Sequence, residues 1–226
     1  MIAVLKKEFK QYFLTPIGYV YLFLFSGIVS LYFYIYAFGN SGVRYEDTLM
    51  YSSWLLIVLI PILTMKMFSE EIRNRTDTTL ITSPNSIFSI VMGKFLSAFG
   101  VILVSVLLSG IYLLLVSQLG KPDLSSIMCS LVGYLLGTMA FISIGMFISS
   151  FTEHQSIAAI VTAIVLIIMN FGPMYFGVIK PFSIFSQMNK FSIGVFPLVE
   201  TISLIATIIT FFALTCIMLK VRKILR

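Results

Sequence analysis

Six stretches of this sequence contain no Asp, Glu, Lys or Arg: residues 11–43, 48–65, 95–120, 124–152, 155–179 and 201–219. An α-helix needs about 20 apolar residues to cross about 30 Å of hydrocarbon. Each stretch is therefore sized for one crossing. The 226 residues are 59% hydrophobic and only 11% charged, with a mean hydropathy of +1.04. A soluble domain carries about 45–50% apolar and about 25% charged residues. One soluble core cannot hide this much apolar surface. Unbroken apolar runs also exclude a transmembrane β-barrel, whose strands alternate polar and apolar residues.

The fold class expected is an all-α polytopic membrane protein with six transmembrane helices, forming a single domain over residues 1–226. The spans fall at about 17–38, 49–68, 87–117, 124–151, 155–177 and 201–220. The fifth contains Asn170, Gly172 and Pro173, which predict a break or an early end near residue 170. Residues 178–200 are only moderately polar and suit short re-entrant or interfacial helices on the outer side.

Net charge is +6, from 15 Lys+Arg against 9 Asp+Glu. In this context the positive charge belongs to membrane flanks rather than to a nucleic-acid site. With both termini in the cytoplasm, the inner segments hold Lys6, Lys7, Lys10, Lys66, Arg73, Arg75, Lys94, Lys220, Arg222, Lys223 and Arg226. The outer loops hold only Arg44, Lys121, Lys180 and Lys190. That asymmetry orients the chain by the positive-inside rule, in the cytoplasmic membrane. Ahead of the first span, residues 1–14 place Ile2, Leu5, Phe9, Tyr12 and Phe13 on one side of a helix and Lys6, Lys7 and Lys10 on the other. This is the pattern of an elbow helix lying in the interface, turned into the membrane at Thr15-Pro16-Ile17-Gly18. The aromatic series Tyr32, Phe33, Tyr34, Tyr36 and Phe38 reads as an outer interface belt.

Catalytic chemistry is poorly supplied. His154, the one histidine, falls in a short turn, so a paired-His haem site and a His-Glu-x-x-His zinc site are both missing. No carboxylate lies at a span centre, as an aspartyl intramembrane protease would need. Gly93-Lys94-Phe95 and Gly120-Lys121-Pro122 lack the Ser or Thr of a P-loop. ATP hydrolysis, and the ATP and Mg it uses, would belong to a partner chain, with no cofactor or metal expected in this one. Cys129 and Cys216 lie in apolar stretches and read as small core thiols.

Between the second and third spans, residues 66–84 carry the densest mixed charge outside the chain ends: Lys66, Glu70, Glu71, Arg73, Arg75 and Asp77. Such a segment suits docking onto a soluble partner. Its charges would set register, while Ile72 and Leu80 could fill a groove. Ser83 is a candidate N-cap for the next helix, with Pro84 at its first position.

Several motifs converge on one family. They are Ile60-Pro61-Ile62-Leu63-Thr64-Met65, Phe68-Ser69-Glu70-Glu71, Leu80-Ile81-Thr82-Ser83-Pro84 and Gly93-Lys94-Phe95. With them go Lys6-Lys7-Glu8-Phe9, Leu119-Gly120-Lys121-Pro122-Asp123 and the run Ser143 to Gln155. The chain resembles the membrane (permease) subunit of type-2 ABC exporters, most of all the gliding-motility permease branch. The resemblance implies an elbow helix, six spans and a cytoplasmic coupling helix within residues 69–84. It also implies outer re-entrant helices, a second permease subunit (identical or homologous) and two ABC ATPase subunits. Carried onto this sequence, the coupling set is Ser69, Glu70, Glu71, Arg73, Arg75, Thr76, Leu80 and Pro84. Glu70, Glu71, Arg73 and Arg75 would contact the ATPase. Asn170 is the polar candidate along the pathway, and an otherwise uncharged lining suits an amphipathic or apolar cargo: a peptide, a lipid-linked molecule or a drug. A membrane scaffold or sensor, and a secondary transporter or channel, are the alternatives.

One position departs from the family pattern. Arg75 stands where the family has Gly, in a turn after the Glu-Glu pair. Positive φ there would be costly for a residue with a Cβ. Either the turn is helical in this chain or the docking surface has been rebuilt.

Overall fold

The computed structural model describes residues 2–39, 44–75, 86–119, 123–175 and 182–225. All regular structure among them is helical: α1 (Ile2–Leu14), α2 (Pro16–Gly39), α3 (Tyr45–Ser52), a 3₁₀ turn (Ser53–Leu55), α4 (Leu56–Thr64), α5 (Ser69–Arg73), α6 (Ile87–Leu119), α7 (Leu124–Ser149), α8 (Gln155–Tyr175), α9 (Ile184–Phe191) and α10 (Leu198–Leu225). Among the described residues, six helical segments are long and apolar enough to cross a membrane: Pro16–Ile35, Tyr45–Arg73, Ile87–Gln118, Leu124–Ser149, Gln155–Pro173 and Leu198–Lys223. Most of the second and fourth are buried within the subunit, whereas the fifth and sixth are largely exposed. The second and fourth spans therefore form the centre of the bundle, and the others surround them.

Small residues let that centre close. A Cβ added at Gly145 of α7 would collide with Thr64 of α4, so these two backbones meet in direct contact. The second span is not one straight rod. A 3₁₀ turn interrupts it at Ser53–Leu55, Pro61 lies inside α4, and a turn at residues 65–68 separates α4 from α5. Pro61 has no N–H to donate along the helix. The fifth span runs unbroken through Asn170, Gly172 and Pro173 to Tyr175, past the break expected at 170. Pro173 lacks the N–H that would meet the Met169 carbonyl, so the helix passes it with one bond of its ladder missing. The third span starts at Ile87, and Ser86 is its cap, with its hydroxyl accepting the Ser89 N–H at 3.2 Å. The expected caps Ser83 and Pro84 lie outside the described residues.

At the other end of the bundle, α9 folds back between the fifth and sixth spans. It runs antiparallel to α7: Phe185 meets Phe141, Met188 sits on Gly137 and Phe191 sits on Gly133. At 1.5 Å per residue, Phe141 lies roughly 25 Å along α7 from its first residue. The N-terminus of α9 is therefore set deep among apolar helices. Aromatic pairs tie the surrounding helices at the same end, with Tyr32 stacked on Tyr51 at 5.7 Å and Phe33 against Tyr112 at 5.0 Å. The side chains of Tyr36 and Phe38 lie outside the described residues.

Candidate functional site

Near the described ends of the chain, three charged side chains, Glu8, Glu71 and Lys94, come together. Helix α1 lies against α6 because two glycines make room for it. A Cβ at Gly93 would meet Val4 at 3.0 Å, and one at Gly100 would meet Phe9 at 3.0 Å. Between these sockets sits Lys94. Its side chain is 2% exposed, and its ammonium reaches Glu8 of α1 at 3.2 Å and Glu71 of α5 at 2.8 Å. The Phe68 ring lies 5.2 Å from the same nitrogen. A lysine is almost never this buried unless paired. Here two elements that are distant in sequence, α1 and α5, supply the pairing. Lys6, Lys7 and Lys10 stay exposed on the opposite face of α1.

The α1 face is fixed a second time by Tyr12, whose buried hydroxyl donates to the Leu63 carbonyl at 3.1 Å. Leu63 is in the last turn of α4, where carbonyls have no partner in the helix. Burial pushes the Tyr12 phenol well above its ordinary pKa, and nearby Glu8 adds to the effect. The chain then turns sharply into α2. A Cβ at Gly18 would come within 2.6 Å of the Tyr12 carbonyl oxygen, so this turn requires glycine.

Ser149, at the end of α7, holds the break in the second span. Its hydroxyl oxygen accepts the N–H of Phe68 at 3.1 Å and of Ser69 at 3.3 Å, and its hydroxyl donates to the Met65 carbonyl at 3.3 Å. Ser69 also donates to the Met65 carbonyl. These bonds satisfy the orphan donors at the start of α5 from a neighbouring helix, the work an N-cap side chain normally does.

The coupling set divides accordingly. Ser69 is buried at the break. Glu71 points inward to Lys94. Ile72, read from sequence as an apolar contact for a partner's groove, is only 3% exposed and belongs to the subunit's own core. Glu70 is half-buried, and Arg73 and Arg75 are exposed. Thr76, Leu80 and Pro84 lie outside the described residues. Arg75 has φ +55°, in the left-handed region, and its N–H bonds the Ile72 carbonyl at 3.2 Å. The backbone thus keeps a glycine-like conformation although the residue is arginine, and the turn is not helical at this position.

Asn170 sits elsewhere. Its amide nitrogen donates to the Leu166 carbonyl at 2.8 Å, and its oxygen accepts the Phe185 N–H at 3.0 Å. Ser183 accepts from Ser186 at 3.3 Å. Together they cap the buried N-terminus of α9, so both ends of the Asn170 amide are engaged within the subunit. Cys129 and Cys216 are free thiols, each partly buried. Among the described residues no cluster of His, Cys, Asp and Glu could hold a metal.

Residues 2–221 match the family model described as ABC-2 family transporter protein. The chain belongs to the ABC-2 transporter family. The match spans nearly the whole sequence, and with six apolar helices it makes this ABC-2 protein a multi-pass membrane protein and a permease subunit. Membership implies an ABC ATPase as partner. No curated protein matches the chain.

Glu8, Lys94 and Ser149 lie in motifs quoted from the sequence but are not among the candidate site residues read from it. Lys94 carried a signal: a lone lysine near the start of an otherwise apolar helix must either reach water or find carboxylates. Ser149 carried none, because one serine among many in apolar spans looks like any other.

Proposed function

We propose that this chain is the permease subunit of an ABC exporter of the gliding-motility-like branch, with both termini cytoplasmic and the cytoplasmic membrane as its location. Two separate ATPase subunits bind ATP and Mg, and a second permease subunit, identical or homologous, completes the complex. The cargo is amphipathic or apolar: a peptide, a lipid-linked molecule or a drug. The ATPase docks on the coupling segment at residues 69–84.

One observation carries this reading. Helix α5 is a short handle with two distinct sides. Its inner side is held by the third span through Glu71–Lys94 at 2.8 Å and by the fourth through Ser149. Its outer side presents Arg73 and, just beyond its end, Arg75, with Glu70 half-exposed beside them. A handle fixed inside and charged outside transmits a push from a soluble partner into several spans at once. Charged rims of this kind govern encounter and register more than they add affinity.

The test is affinity purification in mild detergent, with mass spectrometry of any P-loop ATPase recovered. The same purification is run on Glu70→Ala/Arg73→Ala/Arg75→Ala. Recovery with the unmodified chain and loss with the triple variant support the reading. A folded preparation that brings down no ATPase overturns it.

A further inference from the structure

We propose that Lys94 is a positioning residue for coupling, which yokes α1 to α5 so that both helices move as one piece when α5 is pushed. The proposal rests on the reading of α5 as the ATPase handle and adds where the push goes. Lys94 belongs to the third span, yet its ammonium is shared between Glu8, 86 residues before it, and Glu71, 23 residues before it. The Lys7 ammonium of α1 is also within electrostatic reach of Glu71. The Lys94 side chain is 2% exposed and those of Glu8 and Glu71 are 14% and 17% exposed, so the contact is a mostly buried tie rather than a surface pair. The Tyr12 hydroxyl on the Leu63 carbonyl, at 3.1 Å, is the second fastening of α1. From α1 the chain passes through the tight Gly18 turn directly into the first span. A displacement of α5 therefore reaches the first and third spans without travelling up its own.

The experiment uses the full chain in lipid nanodiscs, in a Cys129→Ser/Cys216→Ala background. Spin labels are placed at Lys10→Cys on α1 and Asn74→Cys beside α5, both exposed positions. The unmodified ion cluster is expected to give one narrow inter-label distance. Glu8→Met and Glu71→Met each remove one tie while leaving Lys94 a single balanced carboxylate. Either is expected to add a second, broader population, with the melting temperature and helix content unchanged. A single narrow distance in both variants overturns the proposal. A second measurement needs neither variant. In the complex with its co-purified ATPase, the Lys10–Asn74 label distance should be the same without nucleotide and with ATP and vanadate, and a change between the two states also overturns it. The label distances in the permease alone do not depend on any ATPase, so failure here is distinct from failure of the functional reading.

Discussion

The side-chain oxygen of Asn170 accepts the backbone N–H of Phe185 at 3.0 Å, and this bond fastens the deep end of α9 to the fifth span. The bond is part-buried, and Phe185 itself is only 4% exposed. Replacing Asn170 with Leu leaves that N–H unpaired, at a cost of about 1–3 kcal/mol. The expected result is a lower melting temperature in detergent. A cysteine placed at Phe185 should also react faster with a membrane-permeant thiol reagent. An Asn170→Leu chain with unchanged stability and reactivity would show that α9 is held by packing alone.

Ser149→Ala removes the acceptor for two amides, those of Phe68 and Ser69, at a buried position. A loss of about 1–3 kcal/mol follows if neither amide finds another partner. The more informative readout is local. Hydrogen exchange at residues 65–73 should quicken, while exchange across α10 stays as it was. Uniform quickening throughout would mean that Ser149 supports the bundle generally and not the break.

Arg75→Gly relieves a side chain held at φ +55°. A left-handed residue with a Cβ costs roughly 1–2 kcal/mol, so the variant should gain up to that much stability and melt at a higher temperature. If Arg75 also contacts the ATPase, the same variant should recover less ATPase on purification. Opposite movement of the two measurements is the expected result, and a fall in both would remove the strain argument.

Asp123 caps α7, accepting the Ser126 hydroxyl at 2.7 Å and the Ser125 N–H at 3.1 Å. These bonds hold its carboxyl below the usual carboxylate range. A depressed acid stabilises the fold above its unfolded pKa, about 3.9, and the contribution is lost as pH falls through the lower folded value. Thermal melts of the unmodified chain and Asp123→Ala should differ by a constant amount from pH 5 to 8. The two curves should converge only in stronger acid.

The six spans were legible because bilayer thickness fixes how long a charge-free run must be, and this chain meets that length six times. Helix α1 was legible for a related reason: Lys6, Lys7 and Lys10 share one face at helical spacing, and the structure leaves them exposed. What sequence could not supply was direction. Glu70 and Glu71 are adjacent, yet only Glu71 turns to Lys94, because a turn at residues 65–68 resets the helical phase before α5 begins. Asn170 looked like a lining residue because its partner, the amide of Phe185, belongs to a helix whose depth depends on the glycines of α7. The departure at Arg75 pointed to the right position, but only the backbone could say that the glycine conformation had been kept.

The placement of α1 also fixes an order of biogenesis. Its sockets, Gly93 and Gly100, and its buried counter-ion, Lys94, all belong to the third span. Glu8 leaves the ribosome 86 residues before the ammonium it will pair with. Until that span has emerged, α1 lacks its glycine sockets and the cation for Glu8, and only the Tyr12–Leu63 bond to the second span is open to it. Full seating of the first helix is thus a late step of maturation, and a nascent chain arrested before residue 94 would carry α1 without its main seat.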